Sequence, residues 1–483
     1  MPRPVHIRLL PLLALFLPLV VGAASPPSLT PGPKDRVEQD LWFNGWLDGQ
    51  PLGNMHLVQL RHADGSRSAL TESQMIIKRR ILTVENVVRM RETGLWRESA
   101  EGRLSSFRLF QEEGGNLTRA SGTIVGREVQ AVIERAGRRH EQIIPLPEGV
   151  ELEGMETGQQ RMLSQLQQPD DSARMHSLVL MAGQLRLTAI DATLVEALAD
   201  GGARYRLVME LAPMIGMQME TGPDLLVRSM QMDFGPLSFR FARGEGPIAL
   251  GDGAPLAMTE LVETRGPAPR SGAVNRYRLP AKALAQLPVD AFQRVEGELL
   301  LVKAQARPGP LEDPAPYLQA EPMLELDAPE LRDWVGSLLA TAPADLAGRA
   351  EHLRLAVRDH IRGDFSRGDA SALEAFRDRR GDCTEYSHLL CAALRIAGIP
   401  ARIDVGLVFA LELGGWGGHA WVSAYDAEAG RWLNLDAAYP DVPRSRYIRT
   451  GSASNIEAGG TNALLDRGMG LLMGQWIEVV PGP

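Results

Sequence analysis

The chain has 483 residues, of which 44% are hydrophobic and 23% charged, so it is long enough to bury more than one core. Its formal net charge of −9 argues against a nucleic-acid partner, because such partners are held mainly by basic side chains on phosphates. It has two cysteines, Cys383 and Cys391, which lie on one predicted helix about 12 Å apart, too far for a disulfide.

The N-terminus has the pattern of a signal peptide over residues 1–24. Arg3 and Arg8 precede an apolar run at residues 9–21, and small residues follow it. An uncleaved membrane anchor is the alternative, but it would need a longer apolar span. We therefore expect an exported protein, periplasmic or secreted. Residues 25–40 begin with a Pro-, Ser- and Thr-rich segment and are predicted to be a disordered leader.

Two strand-rich stretches follow the leader. Residues 41–150 and residues 175–305 both contain short alternating apolar runs separated by Gly-, Asn- and Asp-bearing turns, which predicts antiparallel β structure. We interpret them as two β-rich domains. Residues 306–326 contain five prolines and are predicted to be a linker to a domain at residues 327–483.

The first candidate catalytic residue is Cys383. Gly381 and Asp382 interrupt one helix, and the apolar spacing after Cys383 predicts another that ends at Gly398. Cys383 therefore falls at a helix N-terminus, where the free N–H groups and the helix dipole favour a thiolate and can receive an oxyanion.

His419 and Asp436 are the expected partners of Cys383. Strand signals occur at residues 401–409, 419–425 and 431–436, and the turn at residues 426–430 folds the last two into a hairpin. This pairing brings His419 near Asp436. A cysteine, a histidine and an aspartate are the minimum set for a thiolate nucleophile, its base and the group that orients the base.

Four segments carry a family resemblance. Gly-Asp-Cys-Thr-Glu-Tyr, Ala-Gly-Ile-Pro-Ala-Arg, His-Ala-Trp-Val and Trp-Leu-Asn-Leu-Asp, in this order, resemble the bacterial transglutaminase-like core. The resemblance implies a papain-like α+β fold with Cys383 as nucleophile, His419 as base and Asp436 as orienter. The fold class expected for the chain is thus multidomain, with antiparallel β-rich domains followed by an α+β core.

One departure concerns the acyl site. Relatives often carry an aromatic residue just before the histidine, where this chain has Gly418. Trp416 is a candidate substitute. We predict Trp416 and Trp421 as substrate-binding residues that line an acyl cleft; the alternative is that they pack the core.

The expected function is that of an exported cysteine acyltransferase or hydrolase. It would act on protein or peptide amides through a thioester that an amine or water resolves, with no metal or other cofactor and with a partner in the cell envelope. The alternatives are a cysteine peptidase or amidase of the same fold, or a non-catalytic envelope-binding scaffold.

Overall fold

The computed structural model describes residues 25–81, 84–181, 183–213, 215–234, 237–257, 262–365, 370–411, 414–439, 442–453, 468 and 470–481. The predicted signal peptide at residues 1–24 lies outside this range. Within the described residues, no helix has the length and apolar character needed to cross a bilayer.

A large, almost entirely antiparallel sheet forms the N-terminal half. Its strands are β1 Arg36–Leu47, β2 Gln50–Arg61, β3 Arg67–Ile81, β4 Val84–Glu98, β5 Leu104–Glu113, β6 Asn116–Val125, β7 Glu128–Arg135, β8 Arg138–Pro145, β9 Ser172–Met181, β10 Gln184–Ala197, β11 Ala203–Met209, β12 Gly216–Thr221, β13 Val227–Phe234, β14 Leu237–Gly244 and β15 Ala254–Ala257. The order is β8-β7-β6-β5-β4-β3-β2-β1-β14-β13-β12-β11-β10-β9, and β15 pairs parallel with β3.

The two ends of this sheet curl toward each other. Gln142 on β8 accepts from the Leu185 N–H at 3.0 Å and donates to the Leu185 carbonyl at 2.8 Å, which ties β8 to β10. Helix α1, Met155–Ser164, connects the two runs of strands and packs Met162 and Leu163 against apolar side chains of β9 to β12. The curled sheet and the helix thus enclose a shared interior.

This sheet corrects two predicted boundaries. In the segments at 41–150 and 175–305, interpreted as two domains, all strands up to β15 lie in one sheet, because β1 pairs with β14 across more than 190 residues of sequence. The leader predicted at 25–40 is also too long, since β1 begins at Arg36. Local turn signals mark where strands end, but they carry no information on which distant strand supplies the partner.

The C-terminal half is α+β. Its elements are β16 Glu263–Arg265, β17 Val274–Arg278, α2 Ala281–Leu284, β18 Gln293–Glu296, β19 Leu299–Lys303, α3 Pro329–Leu339, α4 Leu346–His360, β20 Arg362–Gly363, α5 Ala372–Asp378, β21 Arg380–Gly381, α6 Cys383–Ile396, β22 Ala401–Ala410, β23 Gly415–Asp426, β24 Arg431–Leu435, β25 Tyr447–Ala453 and β26 Trp476–Val480. Helices α3 to α6 pack on one face of a four-stranded sheet, the core sheet, whose order is β24-β23-β22-β25. The expected fold class, a β-rich region followed by an α+β core, is confirmed.

A small accessory sheet lies against this core. Its order is β16-β26-β17-β19-β18, so the C-terminal strand β26 inserts between strands from residues 263–278. Its apolar side chains share a cluster with Leu407, Trp416 and Ile448 of the core. Residues 262–303, which we assigned to the second β-rich domain, therefore belong spatially with the α+β core.

The predicted linker at 306–326 also contacts the core. The Tyr425 hydroxyl donates to the Gly309 carbonyl at 3.0 Å, and Arg395 donates to the Gln319 carbonyl at 2.6 Å. A composition rich in proline predicts an extended segment, and here that segment is held on the surface of the core.

Candidate active site

Cys383 is the first residue of α6, as the sequence predicts. Asp382 is the N-cap, and its side chain accepts a hydrogen bond from the Thr384 N–H at 2.9 Å. The Glu385 side chain in turn accepts from the Asp382 N–H at 2.8 Å, which completes a capping box. A Cβ at Gly381 would lie 2.3 Å from the Cβ of Glu385, so the residue before the cap must be glycine. The helix start is thereby fixed, and the half-buried Cys383 with it.

The helix also ends as its sequence predicts. Gly398 has φ +74°, and the Ile399 N–H donates to the Leu394 carbonyl at 2.9 Å, the six-to-one bond of a Schellman motif. Apolar side chains at helical spacing, including Leu389, Leu390 and Leu394, are fully buried against the core sheet. Packing along the whole helix thus holds the sulfur beside β23.

His419 and Asp436 form a buried hydrogen-bonded pair. Strands β23 and β24 pair with Val422 opposite Leu435, so Asp436 directly follows the end of β24, diagonal to His419. His419 Nε2 donates to Asp436 Oδ2 at 2.7 Å, and the two side chains are 1% and 2% exposed. This bond leaves Nδ1 as the imidazole nitrogen available to another partner.

Asp436 accepts several further bonds. Its Oδ1 accepts from the backbone N–H groups of Ala438 and Tyr439, both at 2.9 Å, and its Oδ2 also accepts from the Tyr447 hydroxyl at 2.7 Å. Burial alone would raise the pKa of this carboxyl, but the interaction with His419 and these donors hold its pKa below the usual range. Asp436 is therefore an anion in a buried site.

The sulfur of Cys383 lies near this pair. The Ala420 backbone N–H, adjacent to His419, hydrogen-bonds to the thiol, and Asp436 is close enough for its charge to raise the pKa of Cys383. The three predicted catalytic residues thus converge, although they come from a helix, a strand and the loop after another strand.

The pKa of the Cys383 thiol differs from the sequence expectation. A helix N-terminus favours the thiolate, yet burial and then the charge of Asp382 raise the pKa well above its usual range, and the Ala420 N–H lowers it only in part. The resting sulfur therefore carries its proton, and its deprotonation requires a nearby base.

Glu385 is a second buried carboxyl at this helix start. Its Oε1 accepts from the Ala370 N–H at 2.8 Å, while Oε2 accepts from the Asp382 N–H. Burial and the neighbouring Asp382 raise the pKa of Glu385 well above its usual range. Glu385 therefore completes the cap as a buried carboxyl whose ionisation is disfavoured.

The substrate-binding assignment of Trp416 and Trp421 is corrected by the structure. Trp416 is 0% exposed and packs edge-on against Tyr277 and Phe409, while Trp421 is 1% exposed and stacks near His419 with ring centroids 6.1 Å apart. The alternative, that both pack the core, is the one observed. Alternation along β23 places them on opposite faces of the sheet, which sequence spacing could have indicated.

One residue of the site was missed by sequence reasoning. Tyr447 contacts Asp436 from β25, but its segment carries no motif and no spacing that relates it to the triad.

Among the described residues there is no group of three His, Cys, Asp or Glu side chains arranged to hold a metal ion.

Comparisons with known proteins place this geometry in a family context. The family model described as the transglutaminase-like superfamily matches residues 332–437. The comparison with curated proteins finds no match.

Two solved structures show likenesses of low TM-score. One, from Cytophaga hutchinsonii and named as a candidate cysteine protease, is 16% identical, covering 41% of this chain and 80% of that one, with a TM-score of 0.28. The other, a β-barrel-like protein from Brucella abortus whose domain has unknown function, is 10% identical, covering 43% of this chain and 98% of that one, with a TM-score of 0.32. Neither likeness bears on the chemistry. The match to the transglutaminase-like superfamily at residues 332–437 includes Cys383, His419 and Asp436.

Proposed function

We propose that this protein is a cysteine acyltransferase or hydrolase that acts on protein or peptide amides through a thioester on Cys383. The observation that carries the proposal is the buried His419–Asp436 hydrogen bond next to a sulfur that receives the Ala420 N–H. A histidine oriented by an anion beside a thiol is the arrangement that activates cysteine nucleophiles.

The chemistry follows from the charge states. Because burial raises the pKa of Cys383, its thiolate forms when the Sγ proton moves to His419 Nδ1, and the resulting imidazolium is stabilised by Asp436 through Nε2–H. The sulfur attacks the amide carbonyl and forms the S–C bond. The Cys383 N–H, which has no intrahelical acceptor at the first position of α6, is placed to donate to the oxyanion.

Breakdown of the tetrahedral intermediate completes the first half of the reaction. The C–N bond breaks, and the amine leaves with the proton from His419 Nδ1, so that a thioester and a neutral imidazole remain. An incoming amine or water then gives a proton to Nδ1 as it attacks the thioester, and that proton returns to the sulfur as the product is released. Amine gives acyl transfer, and water gives hydrolysis.

The cell compartment and partners are part of the same proposal. The basic residues Arg3 and Arg8 before an apolar run support export to the periplasm or beyond, with an envelope protein or peptide as substrate or partner. N-terminal sequencing of the mature protein should then begin near residue 25. A mature chain that retains Arg3 would contradict export by cleavage.

The decisive test combines thiol labelling with turnover. We expect iodoacetamide to label Cys383 with a rate that falls at least about tenfold in His419→Ala, and a screen of peptide amides with amine donors to give turnover that Cys383→Ala abolishes. Cys391→Ala is the matched control: Cys391 lies on the same helix but is fully buried with its pKa raised to about 11, so labelling and turnover should persist. Labelling that does not depend on His419 would support the scaffold alternative instead.

A further inference from the structure

We propose that Tyr447 is a positioning residue of this site, which holds Asp436 in place as an oriented anion, and that the accessory segment at residues 271–293 clamps Tyr447 in that position. This inference rests on the proposed function, because it assigns Tyr447 a part in orienting His419. It also makes the accessory segment a component of the catalytic unit rather than a neighbouring domain.

The contact itself is direct. The Tyr447 hydroxyl donates to Asp436 Oδ2 at 2.7 Å, and the same oxygen accepts from His419 Nε2, also at 2.7 Å. Tyr447 is 0% exposed. Without the hydroxyl, Oδ2 would keep one donor in a buried place, and the loss of a hydrogen bond at a buried anion is costly.

The charges around the pair come from several elements. His419 on β23 and Cys383 on α6 lie near Asp436, Tyr439 contacts it through its backbone N–H, and Arg354 on α4 donates to the Asp436 carbonyl at 3.0 Å. Arg444 lies near the Tyr447 ring.

Arg444 packs against the aromatic layer that contains Tyr447. Its guanidinium carbon is 5.8 Å from the Tyr447 ring centroid and 5.3 Å from that of Trp421, and its Nη1 donates to the Tyr447 carbonyl at 2.9 Å. The side chain is buried, so it holds both the backbone and the ring of Tyr447. These contacts thus fix Tyr447 independently of its hydrogen bond to Asp436.

The accessory segment clamps the backbone on both sides of Tyr447. Two residues before it, the Ser445 carbonyl accepts from the Tyr277 hydroxyl at 2.6 Å and from Asn275 at 3.1 Å. Two residues after it, Gln293 accepts from the Arg449 N–H at 2.9 Å and donates to the Arg449 carbonyl at 2.8 Å. These bonds are buried or nearly so, and they join distant parts of the chain.

Positioning here has a chemical consequence. With two donors on each oxygen, the Asp436 carboxylate stays ionised, and Oδ2 stays directed at Nε2 of His419. The proton therefore stays on Nε2, and Nδ1 stays free to take the thiol proton. Loss of the Tyr447 hydroxyl should raise the pKa of Asp436 and loosen this arrangement without altering the surface that meets substrate.

The test compares Tyr447→Phe with Tyr425→Phe in the full chain. Tyr425 is a buried tyrosine on β23 whose hydroxyl bonds to the backbone of Gly309 and Leu311, away from Asp436. The rate of Cys383 alkylation by iodoacetamide is measured against pH, with Cys383 followed by peptide mass spectrometry. We expect Tyr447→Phe to lower the neutral-pH rate about tenfold and to move the acid limb of the profile to higher pH, and Tyr425→Phe to follow the wild type.

Further arms separate a positioning role from a merely structural one. In an Asp436→Asn background, Tyr447→Phe should change the alkylation rate less than about twofold, because the carboxylate through which Tyr447 acts has been removed. Where turnover is measurable, kcat should fall and KM should stay. If circular dichroism shows that Tyr447→Phe does not fold, Gln293→Leu releases the clamp while keeping Tyr447, and it should give a smaller shift of the acid limb in the same direction.

The outcomes are distinguishable. Suppose that labelling depends on His419 but the Tyr447→Phe profile overlays that of the wild type. This inference is then overturned and the proposed function stands. An unshifted profile of Gln293→Leu has the same meaning if that variant replaces Tyr447→Phe. Wild-type labelling that is indifferent to His419→Ala defeats the proposed function, and the role of Tyr447 falls with it.

Discussion

The core sheet and the interior of the large sheet both bury carboxyl groups, but the pKa values of these groups are shifted in opposite directions. At the core sheet, the pKa values of Asp404 and Asp436 lie below the usual range although both groups are fully buried. Inside the large sheet, burial raises the pKa values of Glu98 and Glu156. Burial is thus common to both regions, and the difference comes from their neighbours.

The neighbours of Asp404 are cations and hydroxyls. Arg402 Nε lies 3.0 Å away, Arg449 Nη1 lies 3.5 Å away, and the hydroxyls of Ser423 and Ser452 each donate at 2.5 Å. These partners outweigh the cost of desolvation, so the carboxylate remains charged. By linkage, Asp404 contributes stability above about pH 4 that is lost as the pH falls through its lowered folded pKa.

Glu98 has weaker compensation. Its Oε2 accepts from the Thr157 hydroxyl at 2.6 Å, but its Oε1 is buried without a hydrogen-bond partner. Arg67 lowers the pKa in part, and the nearby Glu153 and Glu38 raise it. Glu385 in the core follows the same rule, since its partners are backbone N–H groups and an acidic neighbour. The charge of a buried carboxyl is therefore set by its cations and donors, whichever domain holds it.

Among the substitutions that test this comparison, Asp436→Asn should have the largest effect, because it removes one of the buried carboxylates whose pKa is lowered. The amide cannot stabilise an imidazolium and favours the wrong tautomer of His419, so turnover should fall about 10⁴-fold, as when a triad aspartate is replaced elsewhere. The measurement is kcat for any amide found in the substrate screen, or the Cys383 alkylation rate.

Asp426→Asn is the matched control for this change. Asp426 also ends its strand buried, and its Oδ1 also accepts from two following N–H groups, those of Glu428 and Ala429, but no histidine contacts it. We expect near-normal turnover in that variant. Equal losses in both variants would mean that Asp436 only shapes its turn.

Asp404→Asn should have the next largest effect, on stability. Removing one anion leaves Arg402 and Arg449 buried with reduced compensation, and breaking such a pair lowers the free energy of unfolding by about 3 kcal/mol. Chemical denaturation at neutral pH measures it. Asp359→Asn removes an exposed ion pair with Arg358 and should change stability by less than about 0.5 kcal/mol. A loss no larger than this for Asp404→Asn would contradict the account.

The parts of the site that sequence could predict are those with local signals. Asp382 and Glu385 mark the start of α6, Gly398 marks its end, and the turn after β23 brings Asp436 back toward His419. Each of these features depends on residues within a few positions of one another. The positions of Cys383 at a helix start, His419 on a strand and Asp436 after the next strand therefore follow from local sequence signals, while their catalytic roles stay a proposal.

The parts that sequence could not predict depend on distant partners. Tyr447 reaches Asp436 because β25 pairs with β22 and because Tyr277 and Gln293 hold the flanking backbone. The pairing of β1 with β14 is equally remote. A raised thiol pKa at Cys383 also depends on burial, which a helix-start motif does not specify. Long-range pairing leaves no periodic mark in a single sequence.

Glu98→Gln tests a buried carboxyl whose pKa is raised, and it should have the smallest effect. Because burial raises the folded pKa of Glu98 above that of the unfolded chain, the native state binds an extra proton between the two values, so its stability falls as pH rises from about 4.5 through the folded pKa. Glutamine has the same shape without the ionisation. Thermal or urea unfolding of Glu98→Gln from pH 5 to 8 should therefore show a flatter profile of stability against pH, with a gain of about 1 kcal/mol in the free energy of unfolding at pH 8.

Glu128→Gln, at an exposed site on β7, is the control and should leave the profile unchanged. If Glu98→Gln loses stability at pH 8 instead, the carboxylate is ionised and compensated like Asp404, and the contrast between the two regions does not hold.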